Sequence, residues 1–171
     1  MKASLAILTL VFAISFSAAG QETARKDPLL DRLAGSWILR GTIAGHESTH
    51  DVEAEWVLGH EYLRLHEISR ERNAQGQPAY EAIIYIEWVE ALQEYKCLWL
   101  DSTGGGGLAA PMGTGERLND SIGFVWRDKE KDSGVNTTFG YRKGTNSWSW
   151  VIDNIEGDKV TVFAHGKLTR K

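Results

Sequence analysis

The sequence predicts an all-β fold: an antiparallel up-and-down barrel of about ten strands, preceded by one short helix. Three observations predict it. From Trp37 onward the apolar residues alternate with a period of two. Thr, Val, Ile, Trp and Tyr dominate short runs separated by Gly, Asn and Asp. No later segment reads as a helix long enough to cross between parallel strands, so consecutive strands should pair as antiparallel neighbours, and closing the sheet removes its sticky edges.

Taken in order, the chain opens with an export pattern. Lys2 supplies a positive start, residues 5–16 an apolar run, and Ser17-Ala18-Ala19-Gly20 a small-residue cleavage zone. Residues 1–20 are therefore expected to be a signal peptide cut after Ala19 or Gly20, which makes the mature protein secreted or periplasmic. The apolar run is shorter than the ~20 residues of a spanning helix and has no successor, so no membrane insertion is expected. Residues 21–171 are a size suited to one domain. Cys97 is the single cysteine, which excludes an intrachain disulfide. The chain carries 19 Lys and Arg against 23 Asp and Glu, with no basic cluster, which argues against nucleic acid as a partner.

Residues 27–35 read as the short helix, with Asp27 as N-cap, Pro28 in the first position and Gly35 past the end. Strands are expected near 37–43, 50–58, 61–69, 80–88, 94–101, 108–116, 121–128, 135–142, 147–155 and 159–168. Between them, Leu58-Gly59-His60, Asn119-Asp120, Lys143-Gly144-Thr145-Asn146 and Glu156-Gly157-Asp158 suit tight reversals. The run from Ala54 to Ile68 also falls roughly on a helical face, but Gly59 at its middle favours strands. Trp88-Val89-Glu90-Ala91-Leu92-Gln93-Glu94 has no turn residue, and a helical turn joining two strands is the alternative there. Gly104-Gly105-Gly106-Gly107 lacks the Gly-Lys-Ser/Thr ending of a phosphate loop and reads as a plain loop.

Gly35-Ser36-Trp37, after a short helix and opening the first strand, resembles the Gly-x-Trp start shared by the calycin barrels, which include lipocalins and fatty-acid-binding proteins. The longer frame adds Leu33-Ala34 before it, then Glu55-Trp56-Val57-Leu58-Gly59-His60-Glu61-Tyr62-Leu63, Trp99-Leu100-Asp101-Ser102 and Leu168-Thr169-Arg170-Lys171. In that order it is similar to a bacterial lipocalin-like family of domains of unknown function, over about residues 29–171. The resemblance implies a ten-stranded calycin-type barrel and no particular activity. It also implies that a basic side chain of the last strand, here Arg170, packs across Trp37. The sequence departs from the family between the fourth and fifth strands, where Glu87-Trp88-Val89-Glu90-Ala91 replaces the usual Asp, Asn or Gly and leaves that hairpin open.

Three groups of residues carry candidate chemistry. His46-Glu47-Ser48-Thr49-His50 is a literal His-Glu-x-x-His, which binds catalytic zinc when both imidazoles lie one helical turn apart. With Gly45 before it and alternating strands around it, an exposed hairpin tip is the competing reading. His165 in the last strand is the candidate for haem, because barrels similar to nitrobindins hold haem through a histidine near the C-terminus; an outward-facing histidine is the alternative. His60 and His66 share a parity with Tyr62 and Arg64, which suggests a polar outer face.

Most aromatic residues share the parity of Val, Ile and Leu and are expected to face inward. Trp56, Tyr80, Trp99, Trp126, Phe139, Trp148 and Trp150 either fill the barrel or line a pocket for one small apolar or aromatic molecule. No nucleophile elbow or paired-carboxylate spacing stands out, although spatial triads leave no linear trace. The sequence thus predicts a non-catalytic small-molecule-binding barrel without a cofactor. A metal-dependent hydrolase, a haem barrel and a protein-interaction module are the alternatives.

Overall fold

The computed structural model describes residues 27–104, 107–128 and 130–171. The expected signal peptide lies outside them. A helix α1 (Pro28–Leu33) leads into β1 (Gly35–Ile43), β2 (His46–Val57), β3 (Tyr62–Ser69), β4 (Glu81–Val89), β5 (Glu94–Asp101), β6 (Gly113–Leu118), β7 (Ser121–Asp128), β8 (Ser133–Arg142), β9 (Ser147–Glu156) and β10 (Lys159–Arg170). Each strand is antiparallel to the next, and β1 pairs with β10 to close the barrel, with Trp37 opposite Arg170. This is the predicted architecture, consistent with a calycin-like barrel.

The hairpins turn where the backbone enters the left-handed region. Ala44 and Gly45 have φ of 49° and 82°, Asn119 58°, Asn146 43° and Gly157 56°. The doubtful fourth hairpin forms as well. Val89 accepts from Leu92 N at 3.0 Å, and Gln93 takes φ 52° in the place where a Gly or Asn would be easier. The sixth strand is the correction. Residues 107–109 form a 3-10 turn, Pro111 has no N–H to offer a ladder, and the strand begins only at Gly113. It pairs with β5 through Cys97, Lys96 and Tyr95 alone, so the half of β5 from Leu98 to Asp101 is not laddered on that side.

Six residues make too short a helix to persist alone, so α1 depends on packing. Leu29, Leu30 and Leu33 are buried in the main core cluster, each adding ~1.5–3 kcal/mol of burial. Asp27 caps the helix as expected, accepting from Leu29 N at 2.8 Å and Leu30 N at 3.0 Å. Its other oxygen accepts from the Tyr95 hydroxyl at 2.9 Å and pairs with Arg117. Three indoles donate to the helix: Trp37 to Leu33 O at 2.7 Å, Trp56 to Asp31 at 2.9 Å and Trp148 to Arg32 O at 3.4 Å. The helix thereby plugs one end of the barrel.

Arg170 lies over the Trp37 ring, 3.8 Å from its centroid, and donates to Ala34 O at 2.9 Å and Arg32 O at 3.2 Å. The pairing that the resemblance implied is present. Gly35 makes room for it: its φ is +128°, and a Cβ there would stand 1.7 Å from Arg170 Nη1.

Candidate functional site

At the end away from the helix the barrel interior opens as a cavity of about 1050 Å³. Pockets that hold one drug-sized molecule run to ~1,000 Å³. The cavity is edged by Ile43 and His46 of the first hairpin, Glu71 and Ala79 between β3 and β4, Ala110 and Pro111 after β5, Glu130 after β7, and Asn154 of β9. These belong to the strand ends and connections that α1 does not cover.

The expected ligand-binding aromatics divide in two. Tyr80, Trp99, Trp126 and Trp150 line the cavity. Trp99 meets Trp126 edge to face with centroids 6.2 Å apart, and Gly113 lets the Trp126 indole lie against the backbone, since a Cβ there would be 2.4 Å from Trp126 Cε2. Trp56, Phe139 and Trp148 lie outside this cavity. Trp56 and Trp148 are bonded to α1, and Phe139 packs edge to face with Phe124 in the solid core, with centroids 6.5 Å apart. Strand parity alone set them inward, and it does not distinguish the plugged half of the barrel from the open one.

One wall is polar, and sequence reasoning missed it. His50 is 2 % exposed; its Nδ1 bonds Glu67 Oε1, and its Nε2 lies 2.8 Å from Ser48 Oγ. The ring stacks on Tyr80 with centroids 5.7 Å apart and planes 25° off parallel. Tyr80 in turn accepts from Trp99 Nε1 at 3.0 Å. Burial, with the Glu67 charge added, pushes the Tyr80 hydroxyl above the ordinary phenol range, so it stays a donor. Glu71 accepts from Ser69 Oγ at 2.6 Å, Ser48 Oγ at 2.9 Å and Thr49 N at 3.1 Å. These bonds, that from Ser69 foremost, hold its carboxyl down at about 2. The signal was available: Glu67 and Ser69 continue the inward parity of Leu63 and Leu65, and Ser48 and His50 that of Val52 and Ala54.

The His-Glu-x-x-His motif lies on β2 rather than on the hairpin tip, which is Ala44-Gly45. In an extended strand residues four apart stand ~13 Å from each other, so His46 and His50 do not form the helical zinc pair. His46 is exposed at the rim, and His50 is engaged by Glu67 and Ser48. Among the described residues no three His, Cys, Asp or Glu side chains gather as a metal-binding group. His165 is exposed, opposite Thr42 and Val151, while its neighbour Ala164 is buried. An axial ligand for haem inside the barrel would have to come from another residue. His66 sits between inward-facing Leu65 and Glu67 and bonds Glu81 at 2.7 Å, in keeping with a polar outer face.

The charge of the lining is lopsided. Among the described residues, Glu47, Glu67, Glu71, Asp101, Asp128 and Glu130 contribute carboxylates to the lining, against Arg127 as the one Lys or Arg. No protein-family model matches the chain, and no curated protein matches it significantly.

Proposed function

We propose that the protein binds one small molecule in the open half of its barrel, and that it does so after export, as a secreted or periplasmic protein. The observation that supports the reading most is the cavity itself: about 1050 Å³, with the Trp99, Trp126 and Trp150 rings and Ile152 on its walls. A side-chain-filled barrel would leave no such space. An apolar or flat body would lie against these rings, and a hydrogen-bonding group on it would meet Tyr80, Ser48 or Thr137. The carboxylate excess disfavours anionic ligands such as free fatty acids, because each added negative charge would be desolvated beside others of its sign. Uncharged or cationic molecules fit better.

Titration with the neutral dye N-phenyl-1-naphthylamine tests this. The expected result is saturable quenching of tryptophan fluorescence at one dye per chain, displaced by the native ligand once extraction and mass spectrometry have identified it. Absence of saturable binding by the folded protein would refute the reading.

A further inference from the structure

Ser48, His50 and Glu67 form a continuous hydrogen-bonded line in the cavity wall, and simple ligand holding does not call for one. Ser48 and His50 are two apart on β2 and share its inward side. Glu67 comes from β3, opposite Val52. Glu67 occupies Nδ1 of the buried imidazole, Nε2 points to the Ser48 hydroxyl at 2.8 Å, and Tyr80 fixes the plane of the ring. Nucleophile, base and orienting acid are defined by this geometry and not by sequence order.

We propose that Ser48 is a nucleophile that accepts acyl groups from uncharged aryl esters, with His50 as its general base and Glu67 positioning the imidazole. The proposal rests on the cavity reading, because the ester has to enter the barrel. The reactive tautomer has Nδ1–H donated to Glu67, which leaves the Nε2 lone pair toward Ser48. Ser48 Oγ adds to the ester carbonyl carbon as its proton passes to Nε2. The bond from that carbon to the aryl oxygen then breaks, and the departing phenol takes the proton from Nε2, leaving the acyl group on Ser48. Water attacks the acyl carbon in turn, gives its proton to Nε2, and Ser48 recovers that proton as the carboxylic acid leaves.

Two neighbours limit the substrate class. At rest Ser48 donates its one hydroxyl hydrogen to Glu71, at 2.9 Å, but a carboxylate held at about 2 is too weak a base to take a serine proton, so the hydroxyl has to turn from Glu71 to Nε2 before His50 can accept it. The Thr49 N–H, next in the chain, already donates to Glu71 at 3.1 Å and is not free for a developing oxyanion. The leaving group must therefore be a good one, a phenol and not an amine. The alkyl ester on Ser48 is less activated than the aryl ester that formed it, so acylation outruns hydrolysis.

The test uses the folded protein with p-nitrophenyl butyrate, followed by peptide mapping, and dye binding measured on every variant. The expected result is a burst approaching one p-nitrophenol per chain, with the butyryl adduct on Ser48. Its rate should rise with pH on a single ionisation, and Glu67→Gln should shift the midpoint of that rise. Ser48→Ala should lose burst and adduct, His50→Ala should slow the burst at least ~100-fold, and Ser149→Ala, outside the cavity, should keep both. A folded, dye-binding wild type without a burst, an adduct on lysine, or an undiminished burst in Ser48→Ala would overturn the triad and leave the cavity reading standing. Loss of dye binding by the wild type would overturn both.

Discussion

Arg170→Ala removes a guanidinium that joins the last strand to the start of the first and to the end of the helix. Three interactions go with it: the stack on Trp37, whose indole is fully buried, and the hydrogen bonds to Ala34 O and Arg32 O. A cation over an aromatic ring contributes ~0.5–1 kcal/mol when exposed and ~2 when desolvated. Arg170 is exposed, so the exposed end of that range applies and each hydrogen bond nets ~0.5–1 kcal/mol. The expected loss is about 1.5–3 kcal/mol, or about 2–4 °C in Tm for each kcal/mol in a chain of this length. Lys171→Ala, which loosens surface pairs to Asp51 at 3.2 Å and Glu53 at 3.6 Å, should stay within ~0.5 kcal/mol. Urea unfolding of Arg170→Ala, Trp37→Leu and the double variant should show coupling of at least ~0.5 kcal/mol. Gly35→Ala supplies a second route to the same interaction, since its Cβ would collide with Arg170 Nη1. Much of its cost should vanish in the Arg170→Ala background, leaving the ~1–3 kcal/mol of a residue held at φ +128°. Strict additivity in both cycles, or equal losses from Arg170 and Lys171, would refute the reasoning.

Trp99→Phe or Trp126→Phe should reduce dye-induced quenching without unfolding the protein, as read by parallel fluorescence and circular dichroism titrations. Glu47→Gln should keep both fold and dye binding, because Glu47 is exposed at the cavity rim, accepts from the Thr42 hydroxyl at 2.9 Å as a glutamine would, and carries a charge that a neutral dye does not need; loss of either in the same titrations would contradict this. Glu71 and Asp51 both have folded-state carboxyls held at about 2, Glu71 chiefly by Ser69 and Asp51 chiefly by Arg70. A depressed carboxyl stabilises fully above its unfolded value of ~4 and loses that contribution as pH falls toward ~2. Glu71→Gln should therefore flatten the acid limb of stability between about pH 5 and 2, measured by denaturant midpoints. Burial pushes the Cys97 thiol well above the usual range, so thiol reagents should label it only at the rate of opening, and fast labelling of the native protein would contradict its burial.

Most of the fold was legible in the sequence because one face of each strand is buried, and a period of two survives local irregularity. Nine strands fell within a few residues of their places, and even the hairpin without a turn residue closed, since the pairing of Trp88 with Tyr95 and Val89 with Glu94 leaves Gln93 no other path. The sixth strand was misplaced because Leu108 and Met112 look like core residues and are exposed. The site was less legible. Chemistry and parity disagree at Ser48, His50, Glu67 and Ser69: polar side chains ordinarily face solvent, whereas their position in the alternation sets these inside. A buried polar side chain opposes hydrophobic patterning and persists only where partners satisfy it, and those partners sit on different strands, invisible until the barrel is assembled. Which aromatics line open space depended in the same way on where the helix docks.

The seam between β1 and β10 bears on how the chain is made. Strand addition can proceed hairpin by hairpin from β1 through β9 while synthesis continues, but the closing partner is also the last stretch of strand to emerge. Until residues 159–170 are present, β1 and β9 each carry an unsatisfied edge, the kind of surface on which unfinished chains pair with one another. Closure then joins residues more than a hundred positions apart and carries the entropic penalty of that loop in a single late event. Removing the final strand should therefore leave no smaller barrel, only an open sheet prone to self-association.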